Sequence, residues 1–215
     1  TNGQTNGLNT YNESVCKERV TRFWRHTVKL VKKEQKGATI KKMVLALLGD
    51  FITGTIHDDL MEGNRLPPSM ALIEAEGHLE AGINYLLANT DLEEILIVCH
   101  SGNHGRMSAK QRIATEEGNS LERLLYHHLK SIFSRDRRLK WVIAEGYHSY
   151  VDILGTVVRF HHGHFLKYSG GIGGVYIPAH KAIASWNESK WADLDCWGHY
   201  HTYLSSPRFV QNGSM

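Results

Sequence analysis

Apolar residues fall into two alternating textures along this chain. From Ser14, Val20, Phe23, Trp24, Thr27, Val28 and Val31 recur at three- and four-residue steps, while Lys17, Glu18, Arg22, Arg25, Lys29 and Lys32 take the opposite face. That spacing predicts an amphipathic helix ending near Gly37. Met43 to Leu48 is then a short, continuous apolar run between lysines and Gly49, the pattern of a strand buried on both faces. The pattern repeats: Pro67 and Pro68 precede a helix carrying Leu72, Ile73, Leu79, Ile83, Leu86 and Leu87, and Ile95 to Cys99 forms the next apolar run. Helix then strand, twice, predicts a parallel sheet with covering helices. A third helix begins at Asn119 or Ser120 and is expected to turn Leu121, Leu124, Leu125, His128, Leu129, Ile132 and Phe133 inward.

Beyond that helix the runs shorten. Trp141 to Ala144, Ser149 to Leu154 and Thr156 to Phe160 are separated by short Gly-containing breaks and read as antiparallel strands. A helix over Ala179 to Ser189 leads to strands at Leu194 to Trp197 and Arg208 to Gln211. Thr1 to Asn12 is almost devoid of apolar residues and reads as a terminal loop. The cluster from Ser169 to Gly174 reads as a mobile loop or, through its backbone amides, a phosphate cradle; it lacks the lysine pattern of a nucleotide-binding loop.

Composition narrows the class. The chain has 215 residues, enough for one sizeable core, so residues 1–215 are read as a single domain. Three cysteines without C-x-x-C spacing suit a reducing cytoplasm, and no apolar run is long enough to span a bilayer, so no membrane partner is expected. The net charge of +3 permits an anionic partner without requiring one. Basic runs at Lys29, Lys32, Lys33, Lys36, Lys41 and Lys42, and at Arg135, Arg137, Arg138 and Lys140, fit solvated helix faces and ends.

The 14 histidines carry more information because of where they fall. The apolar strands end in Gly49-Asp50, in His100-Ser101-Gly102-Asn103-His104, in His161-His162-Gly163-His164 and in Gly198-His199-Tyr200-His201. Four strands thus deliver carboxylate, amide and imidazole groups to their C-terminal ends, where open α/β sheets bind ligands. A mixed oxygen and nitrogen donor set suits Mn, Fe, Zn or Co. Paired ions of that kind hold a phosphate and activate water without a nucleophilic side chain. The spacing His199-x-His201 places both imidazoles on one side if the segment is extended.

Those four motifs, in that order, resemble the calcineurin-like metallophosphoesterases, whose pattern is Asp-x-His, Gly-Asp, Gly-Asn-His followed by an acid, a His-Gly-His, and Gly-His-x-His. The resemblance implies a four-layer αββα sandwich of two mixed sheets flanked by helices. It implies two divalent metals, Mn first among them, with Asp50 bridging both. Asn103, His162 and His199 would complete one metal's ligands, His201 would serve the other, and His104 would contact the phosphate and act as general acid. Asn103 and His104 are thus the catalytic candidates, and Arg106 is a candidate phosphate ligand.

Two departures stand out. No Asp-x-His occurs, so one metal lacks two implied ligands; the chain is expected to be a piece truncated upstream and at its C-terminal end, the alternative being that the second metal site has been lost. Gly105 stands where the family places an acid that orients the preceding histidine, leaving Asp58 or Asp59 as candidates for that task. The implied activity is hydrolysis of a phosphodiester or phosphomonoester by metal-activated water. Nucleic acid or nucleotide substrates, and hence a nuclease, are slightly favoured by the basic runs. The alternative is a phosphoesterase-like binding module impaired in catalysis.

Overall fold

The computed structural model describes residues 11–56, 58–108, 110–111, 115–168 and 170–214, with the side chains of residues 58–60 outside that description. Most of the expected terminal loop therefore lies outside the described residues. Helix α1 (Glu13–Glu34) starts where the side chain of Asn12 accepts the Val15 N–H at 3.0 Å. Strand β1 (Lys42–Leu47), the short helix α2 (Asp58–Gly63), α3 (Pro68–Asn89) and β2 (Glu94–Cys99) follow. A one-turn 3-10 helix at Glu117–Asn119 leads into α4 (Leu121–Ile132), and then come β3 (Leu139–Ile143), β4 (Ser149–Ile153) and β5 (Thr156–Phe160). Helix α5 (Tyr176–Ser189), β6 (Leu194–Trp197), β7 (Leu204–Ser206) and β8 (Phe209–Gln211) complete the order.

Two sheets form, β1-β2-β3 and β4-β5-β6-β8-β7. Alternation along each strand explains how they stack. Leu45 and Leu47 of β1, with Ile95, Ile97 and Cys99 of β2, join Trp24, Val28, Ile83, Leu86 and Leu125 in a core beneath α1, α3 and α4. The intervening residues Val44, Ala46, Leu96 and Val98 face the other way, onto Val151, Val158 and Phe160 of the second sheet. On its far side that sheet packs Trp197 and Phe209 against Ala179 and Ile183 of α5. The layers are therefore helices, sheet, sheet, helix, the four-layer order that the resemblance implies.

The expectation of antiparallel pairing for the strand near Trp141 is corrected. β3 pairs parallel to β2, with Ile95 opposite Leu139, and the three-stranded sheet is parallel throughout. The reason is α4, which carries the chain back across the sheet and makes β2-α4-β3 a crossover. Antiparallel pairing begins one strand later, in the β4-β5 hairpin, whose two turn residues Leu154 and Gly155 have φ of 55° and 83°. The second sheet is mixed: β5, β6 and β8 run parallel, and β7 turns back on β8.

A second correction concerns α4. Its buried face is Glu122, Leu125, Tyr126 and Leu129, whereas Leu124 is 62% exposed and His128 pairs with Glu76 on the surface. Helical spacing from residue 122 selects that set. Reading the leucines as the core stripe rotates the face, because it keeps a carboxylate out of the interior. What Glu122 does there depends on the loops above it.

Candidate metal centre

β1 and β2 run side by side and in parallel, so the loops after Leu47 and Cys99 leave the sheet together. They touch. Gly49 has φ of 87°, and a Cβ there would lie 2.1 Å from the Gly102 nitrogen. A Cβ on Gly102 would lie 2.1 Å from Asp50 Oδ1, so neither position accepts a side chain without separating the loops. Asp50 itself has φ of 57°. Asp50, His199 and His201 are three of the four non-glycine residues with positive φ among those described, a concentration of backbone strain typical of functional sites.

His162, just beyond β5, is the hub. Its Nδ1 donates to the Leu48 carbonyl at 2.5 Å, so in the neutral ring Nε2 carries no hydrogen. That Nε2 faces Asp50 Oδ2 at 3.1 Å, Asn103 Oδ1 at 3.2 Å and His199 Nδ1 at 3.2 Å. Asp50, His162 and His199 offer ligand atoms within 4.8 Å of one another. Four lone-pair donors thus converge from the ends of β1, β2, β5 and β6, and with neutral His162 the buried Asp50 Oδ2 has no hydrogen-bond donor. Either a proton on one of the two facing nitrogens, His162 Nε2 or His199 Nδ1, or a cation must relieve the mutual repulsion, and two oxygens with two imidazole nitrogens suit a divalent transition metal.

The titration behaviour follows from this geometry. Burial works to raise the Asp50 pKa, but His162 and then the His104 amide outweigh it and hold the carboxyl at about 2. Burial opposes protonation of His162, yet the Asp50 carboxylate and the Leu48 carbonyl raise its pKa above the ordinary histidine value. His199 is pushed down to about 4, first by burial and then by the charge of His162. Asp50 and His199 are therefore already in ligand form at neutral pH, and of the three His162 is the one that holds a proton to the highest pH.

His104 is held on two sides: its N–H donates to Asp50 Oδ1 at 3.0 Å, and its Nδ1 donates to the Thr53 carbonyl at 2.7 Å. A backbone carbonyl therefore does the orienting expected of an acid; the side chains of Asp58 and Asp59 lie outside those described. Arg106 donates through Nε to the Ser108 carbonyl at 3.2 Å and through Nη1 to the Asn103 carbonyl at 2.9 Å, pinning the loop that carries Asn103. His201 is exposed, has φ of 57° and stands outside the group of ligand atoms. The extended geometry expected for His199-x-His201 is corrected here. With φ of 65° at His199 the segment turns left-handed, so alternation does not put the two rings on one side.

Two carboxylates escaped the sequence reading. Glu116 is buried and bonded to His164 Nε2 at 3.0 Å, so the imidazole next to the hub has its own anion. Glu122 has no exposed surface; its Oε1 accepts the Phe51 N–H at 2.5 Å and its Oε2 accepts the Gly102 N–H at 2.6 Å. Burial, and next the charge of Asp50, push its pKa up to about 7. No local motif marks either residue, because their partners are 48, 71 and 20 positions away. His148 and His161 pack against Trp186 and Tyr147, His100 is buried, and burial lowers all three pKa values, so they are neutral filling.

No protein-family profile and no curated protein sequence matches the chain. Among solved structures, a novel archaeal phosphodiesterase is similar at 12% identity over 80% of this chain and 82% of its own, with a TM-score of 0.34. Vps29 of Chaetomium thermophilum is similar at 14% identity over 80% and 71%, TM-score 0.34. A single mutant of Vps29 from Entamoeba histolytica is similar at 15% identity over 80% and 73%, TM-score 0.37.

Proposed function

We propose that this chain is a metal-dependent phosphoesterase whose centre is built by Asp50, Asn103, His162 and His199. The observation that carries the reading is the convergence of Asp50 Oδ2, Asn103 Oδ1, His162 Nε2 and His199 Nδ1 on one buried point, an arrangement that a bound cation satisfies once His162 is neutral. A divalent ion held there, Mn first and Fe, Zn or Co as alternatives, supplies Lewis acidity toward a phosphoryl oxygen and lowers the pKa of a bound water. The chain's own residues do the rest. The Leu48 carbonyl keeps Nε2 of His162 as the ligand atom, and Arg106 braces the backbone of Asn103. The Thr53 carbonyl fixes Nδ1 of His104 as its protonated nitrogen, which leaves Nε2 to contact the phosphate and, in the imidazolium form, to give its proton to the leaving oxygen.

The substrate class is a phosphodiester or phosphomonoester. The preference for nucleic acid or a nucleotide, and with it a nuclease activity, gains nothing from the basic runs. Lys41 and Lys42 enter β1 and Arg138 and Lys140 lie at the start of β3, at the opposite end of the parallel strands from Asp50. Six strand residues separate those ends by about 20 Å. Lys41, Lys42 and Arg138 are, moreover, paired with Asp91, Glu93, Glu94 and Asp136. Three free thiols favour a cytoplasmic setting, and among the described residues no helix is long and apolar enough to cross a membrane.

A second reading, a binding module impaired in catalysis, is favoured by the exposure of His201 outside the ligand group. Among the described residues one group has metal-ligand spacing, so the second ion of a pair would need further ligands. One experiment separates the readings: hydrolysis of bis(p-nitrophenyl) phosphate with and without Mn(II), with Asp50→Ala and His104→Ala beside the wild type. The enzyme reading expects Mn-dependent turnover that Asp50→Ala abolishes and His104→Ala reduces by about 10²–10⁴-fold. Mn(II) binding without turnover supports the binding module, and turnover unchanged in Asp50→Ala refutes both.

A further inference from the structure

We infer that Glu122 is the positioning residue of this centre: its carboxylate clamps the two loops that present Asp50 and Asn103, and so sets the geometry of the ligands without touching the ion. In its functional part this rests on the metal reading above; in its structural part it rests on the loops alone. Phe51 directly follows Asp50, and Gly102 directly precedes Asn103. Glu122 takes the N–H of both, at 2.5 Å and 2.6 Å, one through each oxygen. Each bond therefore lies one residue from a ligand, and the two loops, which leave different strands, are tied to a single rigid group. Metal ligands must be held within about 0.5 Å to be effective, and short bonds to a carboxylate with no rotational freedom achieve that.

Glu122 is delivered by the helix rather than by the loops. Ser120 caps α4 by accepting the Glu122 N–H at 3.2 Å, which starts the helix one residue before Glu122 and puts its carboxyl where the helix dipole favours the charged form. Leu125, Tyr126 and Leu129 continue the same face into the core, so the carboxylate rises from a packed platform. The loop is shaped to receive it. A Cβ on Gly105 would lie 2.8 Å from Glu122 Cγ and 3.0 Å from Ser120 Oγ. The side chain missing at position 105 is thus replaced in space by one from 17 positions downstream, as the numbering of the two residues shows. The space is closed further by the Leu121 N–H, which donates to the Gly105 carbonyl at 2.8 Å.

Mere filling of the core does not account for this residue. An aliphatic side chain fills volume without the desolvation cost of a carboxylate, but it would leave the amides of Phe51 and Gly102 without acceptors. Glutamine keeps the shape and fails for a related reason: its one oxygen takes one amide, and its NH2 then faces the other donor. The consequence reaches the ligand atoms. Asp50 Oδ1 lies against Gly102 and accepts from the His104 amide, which leaves Oδ2 for the hub; a loop that drifts from Glu122 releases that choice.

The test compares Glu122→Gln and Glu122→Asp with Leu129→Ala, a control that destabilises the same helix by leaving a cavity under α4. Three quantities are read on the full chain: Mn(II) affinity by calorimetry, metal-free amide exchange at Phe51 and Gly102, and the melting temperature. Glu122→Gln is expected to weaken Mn(II) about 10–100-fold and to strip protection from the Phe51 and Gly102 amides. Glu122→Asp, which keeps both acceptors on a shorter stem, should fall between it and the wild type. Leu129→Ala should melt lower yet keep the wild-type affinity. Unchanged affinity in Glu122→Gln, or an equal loss in Leu129→Ala, would overturn the inference. A wild-type chain that binds no Mn(II) overturns the metal reading instead, and the clamp is then decided by amide protection: present in the wild type and lost in Glu122→Gln if it stands, absent in the wild type if it falls.

Discussion

Replacing Gly105 by aspartate introduces an acid after Gly-Asn-His, where the pattern that the chain resembles carries one, and the structure expects the change to do harm. The new Cβ would sit 2.8 Å from Glu122 Cγ, 3.0 Å from Ser120 Oγ and 3.1 Å from Glu122 Cδ, where ordinary carbon contacts need about 3.5–4.0 Å. Overpacking of that kind costs about 1–3 kcal/mol. A second carboxyl against a fully buried one adds to it, because either one acid stays protonated or Glu122 withdraws. Withdrawal strands the Phe51 and Gly102 amides, at about 1–3 kcal/mol each. A net loss of about 3 kcal/mol is the lower end of that range, and at ~2–4 °C per kcal/mol for a chain of this size the melting temperature should drop by about 6–12 °C or more. The assay is thermal unfolding by circular dichroism, with Gly105→Ala isolating the steric share. The double variant Gly105→Asp with Glu122→Ala should lose less than the sum of its parts, because the introduced carboxylate then enters the vacated space. A Gly105→Asp chain that melts at or above the wild type would refute the reasoning and show that position 105, not 122, is where this site wants its acid.

Three further outcomes arise from buried charges. With Asp50 at about 2 and His199 at about 4, His162 is the last of the three ligands to lose its proton as pH rises, its pKa being raised above the ordinary value. Mn(II) affinity should therefore be flat well above the raised pKa and fall about tenfold per pH unit below it, where one proton leaves per ion; calorimetry at a pH on the falling limb, in two buffers of different ionisation enthalpy, counts it, and a count of zero or two there contradicts the assignment. The sign for the metal-free chain is the reverse: the His162 and Asp50 pair stabilises it most below the ordinary histidine pKa, and that share is lost as pH rises through the raised one. Arg159 and Asp195 form a wholly buried pair with bonds of 2.6 Å and 3.0 Å beneath Trp186. Asp195→Asn should cost about 3–5 kcal/mol by leaving the guanidinium uncompensated; denaturant unfolding measures it, and a loss below about 1 kcal/mol would mean that the pair is not the anchor it looks.

Periodicity alone located most of the elements, because burial imposes a repeat of two on strands and 3.6 on helices, and both repeats are local. The same locality made the donor residues legible: Asp50, Asn103, His162 and His199 each come just after an apolar run, and a strand's C-terminal end is a position the chain announces. What locality cannot carry is which distant groups meet. The direction of β3 was set by the crossover through α4, not by the spacing around Trp141. The exposure of His201 was set by left-handed backbone at His199 and His201, not by the alternation of two histidines. Glu122 lies deepest in this second class. Nothing around residue 122 distinguishes it from a surface glutamate at a helix start, and Gly105 shows only a missing acid. The tertiary structure brings the two together, because an unpaired amide and an unpaired carboxylate are each costly to bury and a fold that buries both must bring them into contact.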